Sequence, residues 1–207
     1  NKSKPIKQIL DKLAFEGGFC YTFSAAGVLK YIFVKDSYSS ANHTLDKNDL
    51  ANVQISHTPV SDMIMDITVN YNNHPAKNEY RSQATDSDST LRTKYNIAST
   101  EQKHVFNLDY LTTGQGADLD CSSDDPNDGF MNYYGNLSVS PRIIIQAQIV
   151  NPAKFNMELG DICQFSTMIP TKAFNQTFSF KYYMITSITR SSGKITCNFI
   201  NITPGEQ

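Results

Sequence analysis

The chain has 207 residues, enough for one large domain or two small ones with a buried core. Its formal net charge of −2, with basic residues scattered singly, argues against a nucleic-acid-binding surface, because phosphate binding needs a surplus of Lys and Arg on one face. No apolar run approaches the ~20 residues of a membrane-spanning helix, and a hydrophobic content of 40% is ordinary for a globular protein.

A helix followed by a β-hairpin is predicted at the start of the chain. One helical face carries apolar residues at the i, i+3, i+4, i+7 spacing, namely Ile6, Ile9, Leu10, Leu13 and Ala14. Ser3 is placed to cap this helix, Pro5 falls in its first turn, and residues 17–18, both glycine, end it. The apolar and aromatic segments 19–23 and 28–34 then predict the two strands of a hairpin.

The middle of the chain alternates between polar and strand-like segments. Residues 36–52 predict a surface connection with a short helical turn at 45–50, and residues 53–57 predict a strand that ends before Pro59. Residues 63–71 alternate apolar and polar side chains with the period of a half-buried strand. Residues 72–90 are rich in Asn, Ser and Asp, so we expect a flexible loop there.

The last third predicts four strands at residues 142–150, 161–166, 182–189 and 194–202, arranged as a β meander. They follow a short apolar pattern at 105–111, a polar stretch at 112–127, and a helix that begins at Asn127 or Asp128. The aromatic residues of this helix are expected to face the meander. Gly193 supplies the conformational freedom that the last hairpin turn requires.

The predicted fold class is therefore α+β and mainly β, with antiparallel β-barrel or meander domains and a few short helices. The expected organisation is a helix and antiparallel β portion at 1–111, a polar acidic loop at 112–127, and a helix with the β meander at 128–207. The first and last parts are open to being one intertwined domain. Because the chain begins at Asn1 and not at Met, we expect it to be a portion of a longer chain.

Residues with catalytic or metal-binding chemistry are sparse, and no enzymatic activity is expected. There is no GxSxG elbow, P-loop, HExxH or dinucleotide-binding motif. The four histidines are isolated in sequence, at His43, His57, His74 and His104. No catalytic residue, cofactor site or metal site is predicted.

An acidic cluster leaves calcium binding open, although it departs from the EF-hand pattern in glycine position and lacks the closing Glu. It comprises Asp118, Asp120, Asp124, Asp125 and Asp128. A solvated acidic loop is the favoured interpretation.

The cysteines and the glycosylation motifs are each interpreted structurally. Four cysteines lie far apart at Cys20, Cys121, Cys163 and Cys197, which favours buried free thiols over two disulfides. Four Asn-x-Ser/Thr motifs begin at Asn42, Asn136, Asn175 and Asn201, and we interpret them as chance matches in a chain rich in Asn, Ser and Thr.

The order of several short phrases resembles tail-tip and baseplate hub proteins of tailed bacteriophages. The first group contains FEGGF at 15–19, KYIFVKD at 30–36, VQISHTP at 53–59 and ITVNY at 67–71. The later group contains NDGFMNYY at 127–134, MELGDI at 157–162 and MITSI at 184–188. The resemblance extends over most of the chain.

The resemblance implies a structural role in the virion, at the phage tail. Hub proteins of this kind resemble the tail-tube protein and form a ring, commonly a homotrimer, at the end of the tube. The implied partners are further copies of the chain and other tail proteins, namely the tube, the distal tail protein and the spike or fibre proteins. DNA would pass through the ring without specific binding.

Two other functions remain open at the level of sequence. The first is a carbohydrate- or receptor-binding β domain of adhesin type, in which residues 133–134 and 182–183, all tyrosine, supply stacking faces. The second is a hydrolase whose catalytic groups come together only in space. A glycan array would separate the first from a hub, and a pocket with converging carboxylates would support the second.

Overall fold

The computed structural model describes residues 5–24, 27–33, 38–111, 130, 134, 137–168, 170–173, 176–178 and 181–202. Its elements in chain order are α1 (Ile6–Glu16), β1 (Phe19–Phe23), β2 (Leu29–Phe33), β3 (His43–Leu45), β4 (Leu50–His57), β5 (Asp66–His74), β6 (Glu79–Ser87), α2 (Ser89–Tyr95), β7 (Lys103–Asn107), β8 (Ile143–Ile149), β9 (Ile162–Phe165), β10 (Lys172–Ala173), β11 (Gln176–Thr177), β12 (Tyr183–Ser191) and β13 (Lys194–Asn201), with short 3-10 turns at Val60–Asp62 and Pro152–Lys154.

The chain divides into two compact units, each assembled from separated segments. Unit 1 comprises Asn1–Phe23, Gly27–Val34 and Pro59–Ser140, and unit 2 comprises the remaining segments, which include Lys35–Thr58 and Pro141–Gln207. The mainly β class predicted from sequence is confirmed, since 46% of the described residues lie in strands and 17% in helices. The predicted N-terminal helix and hairpin are also confirmed as α1, β1 and β2.

Unit 2 is built on a six-stranded sheet that curls into a half-barrel. Its strand order is β3-β9-β12-β13-β8-β4, and β3 runs parallel to β9. All four strands predicted for the last third are present as β8, β9, β12 and β13. However, β8 lies beside β13 and not beside β9, so the four strands follow a Greek-key order where a meander was expected.

The core of unit 2 explains this position of β8. Ile143, Ile145, Ala147 and Ile149 all point to the same face and are buried. A strand with a fully apolar face is best placed inside the sheet, and β8 is paired by β13 on one side and by β4 on the other. Across the core, the ring of Phe199 packs edge-on against Phe165 at a centroid distance of 5.4 Å.

Unit 1 contains a three-stranded sheet of order β6-β5-β7, in which β5 and β6 are antiparallel and β5 and β7 are parallel. The alternation predicted for residues 63–71 is confirmed only within β5, where Ile67 and Val69 are buried; Met63, Ile64 and Met65 are all buried and precede the strand. This sheet forms the base to which α1 is attached.

Residues 72–90 are not a flexible loop, and that prediction was wrong. They complete β5, turn at residues 75–78 and form β6 and the start of α2. Asn78 adopts a left-handed conformation (φ 52°) that closes the turn, and its backbone N–H donates to the carbonyl of His74 at 2.8 Å. The prediction failed because β6 is an edge strand, where one face is solvated and polar residues are tolerated.

The helical turn predicted at residues 45–50 was also wrong. β3 ends at Leu45 and β4 begins at Leu50, with a tight turn between them in which the N–H of Asp49 donates to the carbonyl of Asp46 at 3.1 Å. Both leucines are buried, because each belongs to a strand of the unit 2 sheet.

The core arrangement predicts that Phe199→Ala lowers the free energy of unfolding of unit 2 by about 3–5 kcal/mol, because the cavity removes ring contacts that the neighbours do not refill. Denaturant unfolding followed by far-UV circular dichroism measures this change. Thr189→Ala, at an exposed position on β12, serves as the control and should change the value by less than about 0.5 kcal/mol. Equal effects of the two variants would contradict the assigned core.

Candidate assembly surface

The histidines and carboxylates form local contacts and no common catalytic constellation among the described residues. His43 Nε2 lies 3.0 Å from Asp161 Oδ2, which joins the start of β3 to the residue before β9. His57 contacts the carbonyl of its neighbour, Thr58, at 2.7 Å. No group of three His, Cys, Asp or Glu side chains in the described segments is placed to hold a metal ion. The acidic cluster of residues 118–128 lies outside the described residues.

The described cysteines differ in burial. Cys163 and Cys197 are buried free thiols, as expected, and burial raises the pKa of both, that of Cys197 to about 11. Cys20 is a free thiol but is exposed on β1, which differs from the expectation of burial. Cys121 lies outside the described residues.

The glycosylation motifs fall in different environments. Asn201 is buried at the end of β13, which supports its interpretation as a chance match. Asn42 is exposed, and its side-chain oxygen accepts a hydrogen bond from the N–H of Ile162 at 2.8 Å. Asn136 and Asn175 lie outside the described residues.

The tyrosines considered as stacking faces for a carbohydrate serve other contacts. Tyr183 is fully buried in the core of unit 2, and Tyr182 packs against Tyr38 at a centroid distance of 5.6 Å. Tyr134 packs in unit 1 against Phe15 and Phe106. The aromatic residues of the helix predicted to begin at Asn127 or Asp128 were expected to face the C-terminal strands. For Tyr134 this prediction was wrong. Tyr133 lies outside the described residues.

The most distinctive surface of unit 1 is apolar and exposed. We call it the α1–hairpin surface, and it consists of Ile6, Leu10 and Leu13 of α1, Phe23, Tyr31 and Phe33 of the hairpin, and Val28 just before β2. Ile6 is 77% exposed, Phe23 64%, and Phe33 58%. Exposed apolar side chains that are grouped on one helix and one hairpin mark interaction sites, so this surface is a candidate for an interface.

The helix α1 is amphipathic, yet only its last turn is buried. Ala14 and Glu16 are buried, whereas Leu10 and Leu13 remain more than a third exposed. The apolar face predicted from the sequence is therefore present, but most of it is not used for the core of this chain. Gly17 occupies the C-cap position, and Gly18, with φ 67°, redirects the chain into β1.

Glu16 holds the end of α1 in place. Its carboxylate accepts hydrogen bonds from the backbone N–H of Asp109 at 2.9 Å and of Tyr110 at 2.8 Å, in the segment that follows β7. The side chain is 2% exposed. A buried carboxylate is tolerated only when it is paired and hydrogen-bonded, and Lys12, one turn earlier, lies 3.8 Å from it.

Asp109 extends this network into the three-stranded sheet. Lys12 forms an ion pair with its carboxylate, the hydroxyl of Tyr80 donates to it at 2.6 Å, and the side-chain amide of Asn73 donates at 3.1 Å. Desolvation, followed by the hydrogen bond to Asp109 and the negative charges of Asp109 and Glu16, raises the pKa of Tyr80 to about 12. The helix is thus linked to β5 and β6 through side chains.

Phe15 attaches the same end of α1 to the sheet through apolar contacts. Its ring packs against those of Phe106, Phe130 and Tyr134 at centroid distances of 5.9, 5.1 and 5.6 Å. Phe130 is buried with Ile67, Val69 and other residues of the sheet. Together the ring cluster and the Glu16 network fix the C-terminal end of α1, and the α1–hairpin surface extends from it.

The hairpin presents an aromatic face and two strand edges. In the antiparallel register Phe19 lies opposite Phe33 and Tyr21 opposite Tyr31, so these four rings share one face. Tyr21 also donates to Asp11 of α1 at 2.6 Å. Among the described strands β1 and β2 pair only with each other. A two-stranded hairpin is marginally stable alone, and its outer edges offer backbone groups to a further strand.

Comparison with known proteins identifies the fold. No protein-family model matches the sequence, and no curated protein matches it. Among solved structures, a protein of the virion of a native gene transfer agent particle is 13% identical with a TM-score of 0.58, over 95% of this chain and 38% of that protein. The chain shares the fold of this virion protein.

Two tail proteins share the same fold, so the chain has the fold of a phage tail protein. The 43 kDa tail protein of prophage MuSo2 from Shewanella oneidensis is 11% identical with a TM-score of 0.53, over 99% of this chain and 56% of that one. A tail protein from Neisseria meningitidis MC58 is 9% identical with a TM-score of 0.52, over 97% and 55%. The chain spans between 38% and 56% of the length of these three proteins. The fold implied by the sequence resemblance is confirmed.

In the described residues, no helix of the tail-protein fold combines the length and the apolarity required to cross a membrane.

Sequence reasoning identified the helix and hairpin of the α1–hairpin surface, but it missed the Glu16 network. The residues that bind Glu16 lie more than 90 positions later in the chain. Only the unusual position of a Glu beside the apolar face of α1 hints at such a partner.

Removing the buried carboxylate should loosen α1. Glu16→Ala leaves two backbone N–H groups without their acceptor and is expected to lower the free energy of unfolding of unit 1 by about 3 kcal/mol. Glu16→Gln keeps one acceptor oxygen and should cost less. Urea unfolding measures both values, and Glu101→Ala, at an exposed carboxylate, is the control. A wild-type value for Glu16→Ala would show that the network does not hold the helix.

The raised pKa of Tyr80 predicts a dependence of stability on alkaline pH. Because the folded pKa of about 12 exceeds the ordinary value of 10.0, the protonated hydroxyl stabilises the fold fully below pH 10, and this contribution is lost as the pH rises towards 12. Tyr80→Phe removes the ionisable group, so the wild type should lose stability relative to this variant across that window. Parallel unfolding curves for the two proteins would contradict the assignment.

Proposed function

We propose that the chain is a structural component of a bacteriophage tail tip or baseplate hub. In this role it forms a ring at the end of the tail tube and anchors spike or fibre proteins. The α1–hairpin surface carries the proposal, because it is an apolar, aromatic-rich surface that the described part of the chain leaves exposed. The shared fold with virion tail proteins supports the same role.

The composition of the surface suits a protein–protein interface. Aromatic residues are enriched at interface cores and charged residues are depleted there. Phe23, Tyr31 and Phe33 are each more than half exposed on the hairpin, and Ile6 projects from the first turn of α1. Burying these side chains on assembly would gain hydrophobic free energy that folding of the chain alone leaves unused.

The hairpin also suggests how a ring would form. The outer edges of β1 and β2 can extend a sheet of a neighbouring subunit, which adds backbone hydrogen bonds to the apolar contact. A contact between two different surfaces of the same chain closes into a ring when its rotation permits. We propose a homotrimer, in keeping with the hub resemblance.

The role is non-enzymatic and located in the virion. The proposed partners are further copies of the chain and the tube, distal tail, and spike or fibre proteins. DNA would pass the ring transiently, and a chain with a net charge of −2 does not attract phosphates. The ring would anchor each neighbouring protein through surface contacts, and such contacts require no active site.

The proposal predicts that charge on the aromatic face of the hairpin prevents assembly. Phe23→Asp places a carboxylate among exposed rings and is expected to yield monomers at a concentration where the wild type is oligomeric. Cys20→Asp adds the same charge to the opposite face of the same strand and should leave assembly intact. Sedimentation velocity measures the distribution of species, and circular dichroism establishes that each variant is folded.

Two outcomes would contradict this proposal. If folded Phe23→Asp sediments as the wild-type oligomer, the hairpin face is not part of the interface. If both variants dissociate equally, the effect comes from net charge and not from the aromatic face. Leu10→Asp applies the same test to α1.

A further inference from the structure

Unit 2 contains a groove that is lined by none of the residues of the α1–hairpin surface. It lies on the solvent-facing side of the sheet, across β4, β8 and β13, and has a volume of about 410 Å³. Its lining residues are Asn52, Val53, Gln54, Gln146, Ala147, Gln148 and Thr196. This volume falls in the range of small-molecule sites.

A β-bulge gathers polar side chains into the groove. Ala51 pairs with Gln148 and Gln54 pairs with Gln146, so two residues of β4, Asn52 and Val53, lie opposite one residue of β8. Asn52 adopts a left-handed conformation (φ 49°), and its side-chain amide donates to Gln148 Oε1 at 2.9 Å. Bulges of this kind redirect side chains, and here the result is a set of carboxamides on one face.

The hydrogen-bonding capacity of the groove is only partly used. The pair of Asn52 and Gln148 leaves a carbonyl oxygen on Asn52 and an amide group on Gln148 for other partners. Gln54 and Gln146 are exposed, and among the described residues their side chains make no hydrogen bond. The groove therefore presents several donors and acceptors close together.

The chemistry of the lining selects a class of ligand. No lining residue is charged, so a phosphate or a carboxylate would bind without a counter-charge. Carboxamides both donate and accept hydrogen bonds, which matches the hydroxyl groups of a sugar. We propose that this groove binds a neutral mono- or disaccharide. Because the lining lacks an aromatic stacking platform, the dissociation constant is expected on the order of millimolar.

Nuclear magnetic resonance of the ¹⁵N-labelled full chain tests this proposal directly. The side-chain amide signals of Asn52, Gln54, Gln146 and Gln148 report on the groove. Glucose, N-acetylglucosamine and lactose are titrated separately to about 100 mM, well above the expected dissociation constant. At least one sugar should shift these signals with saturation, while the signals of α1 and the hairpin remain unchanged.

Matched variants localise the binding. Gln146→Ala should weaken it roughly fivefold, the loss of one hydrogen bond, whereas Ser56→Ala, exposed on β4 outside the groove lining, should not change it. The absence of saturable shifts with all three sugars overturns the proposal. Equal affinity of the Gln146→Ala variant also overturns it, as do shifts with a neutral blocked dipeptide but with no sugar. The oligomeric state is measured separately, so failure here is independent of the assembly proposal.

Discussion

The buried carboxylate of Glu16 is the constraint on which the α1–hairpin surface depends. It satisfies the backbone N–H groups of Asp109 and Tyr110 at the point where α1 meets the three-stranded sheet. Because the attachment uses the last turn of the helix, the preceding apolar turns need not pack on the core. Phe15 seals the same end with an aromatic cluster. The arrangement holds α1 firmly while leaving its apolar face available.

The two units differ in how far they bury their apolar side chains, and this difference suits a chain that completes its structure by assembly. Unit 2 buries the apolar face of its sheet in the usual way, with Ile145, Ala147 and Phe199 fully enclosed. Unit 1 instead leaves Ile6 and the rings of Phe23 and Phe33 in solvent. Exposed apolar side chains and open strand edges carry a risk of aggregation, which a specific neighbour removes. The proposed ring supplies such a neighbour.

The sequence predicts those parts of the fold whose pattern is local. The spacing of apolar residues in α1 and the alternation in β5 each follow from one segment, and β5 alternates because one of its faces is buried. By contrast, β6 has a polar sequence that only its position at a sheet edge explains. The place of β8 beside β13, the His43–Asp161 contact and the Glu16 network all depend on residues distant in the chain. No repeating pattern of residues within a single segment predicts these contacts.

The mass of the wild-type chain in solution tests the central claim most directly. Light scattering across a concentration series at moderate salt should show a mass that rises to a plateau at a small whole multiple of 23.2 kDa, with three copies expected. A plateau indicates a closed ring, since an open contact continues to grow. A mass of one chain at every concentration, or a mass that increases without a plateau, would contradict assembly into a ring.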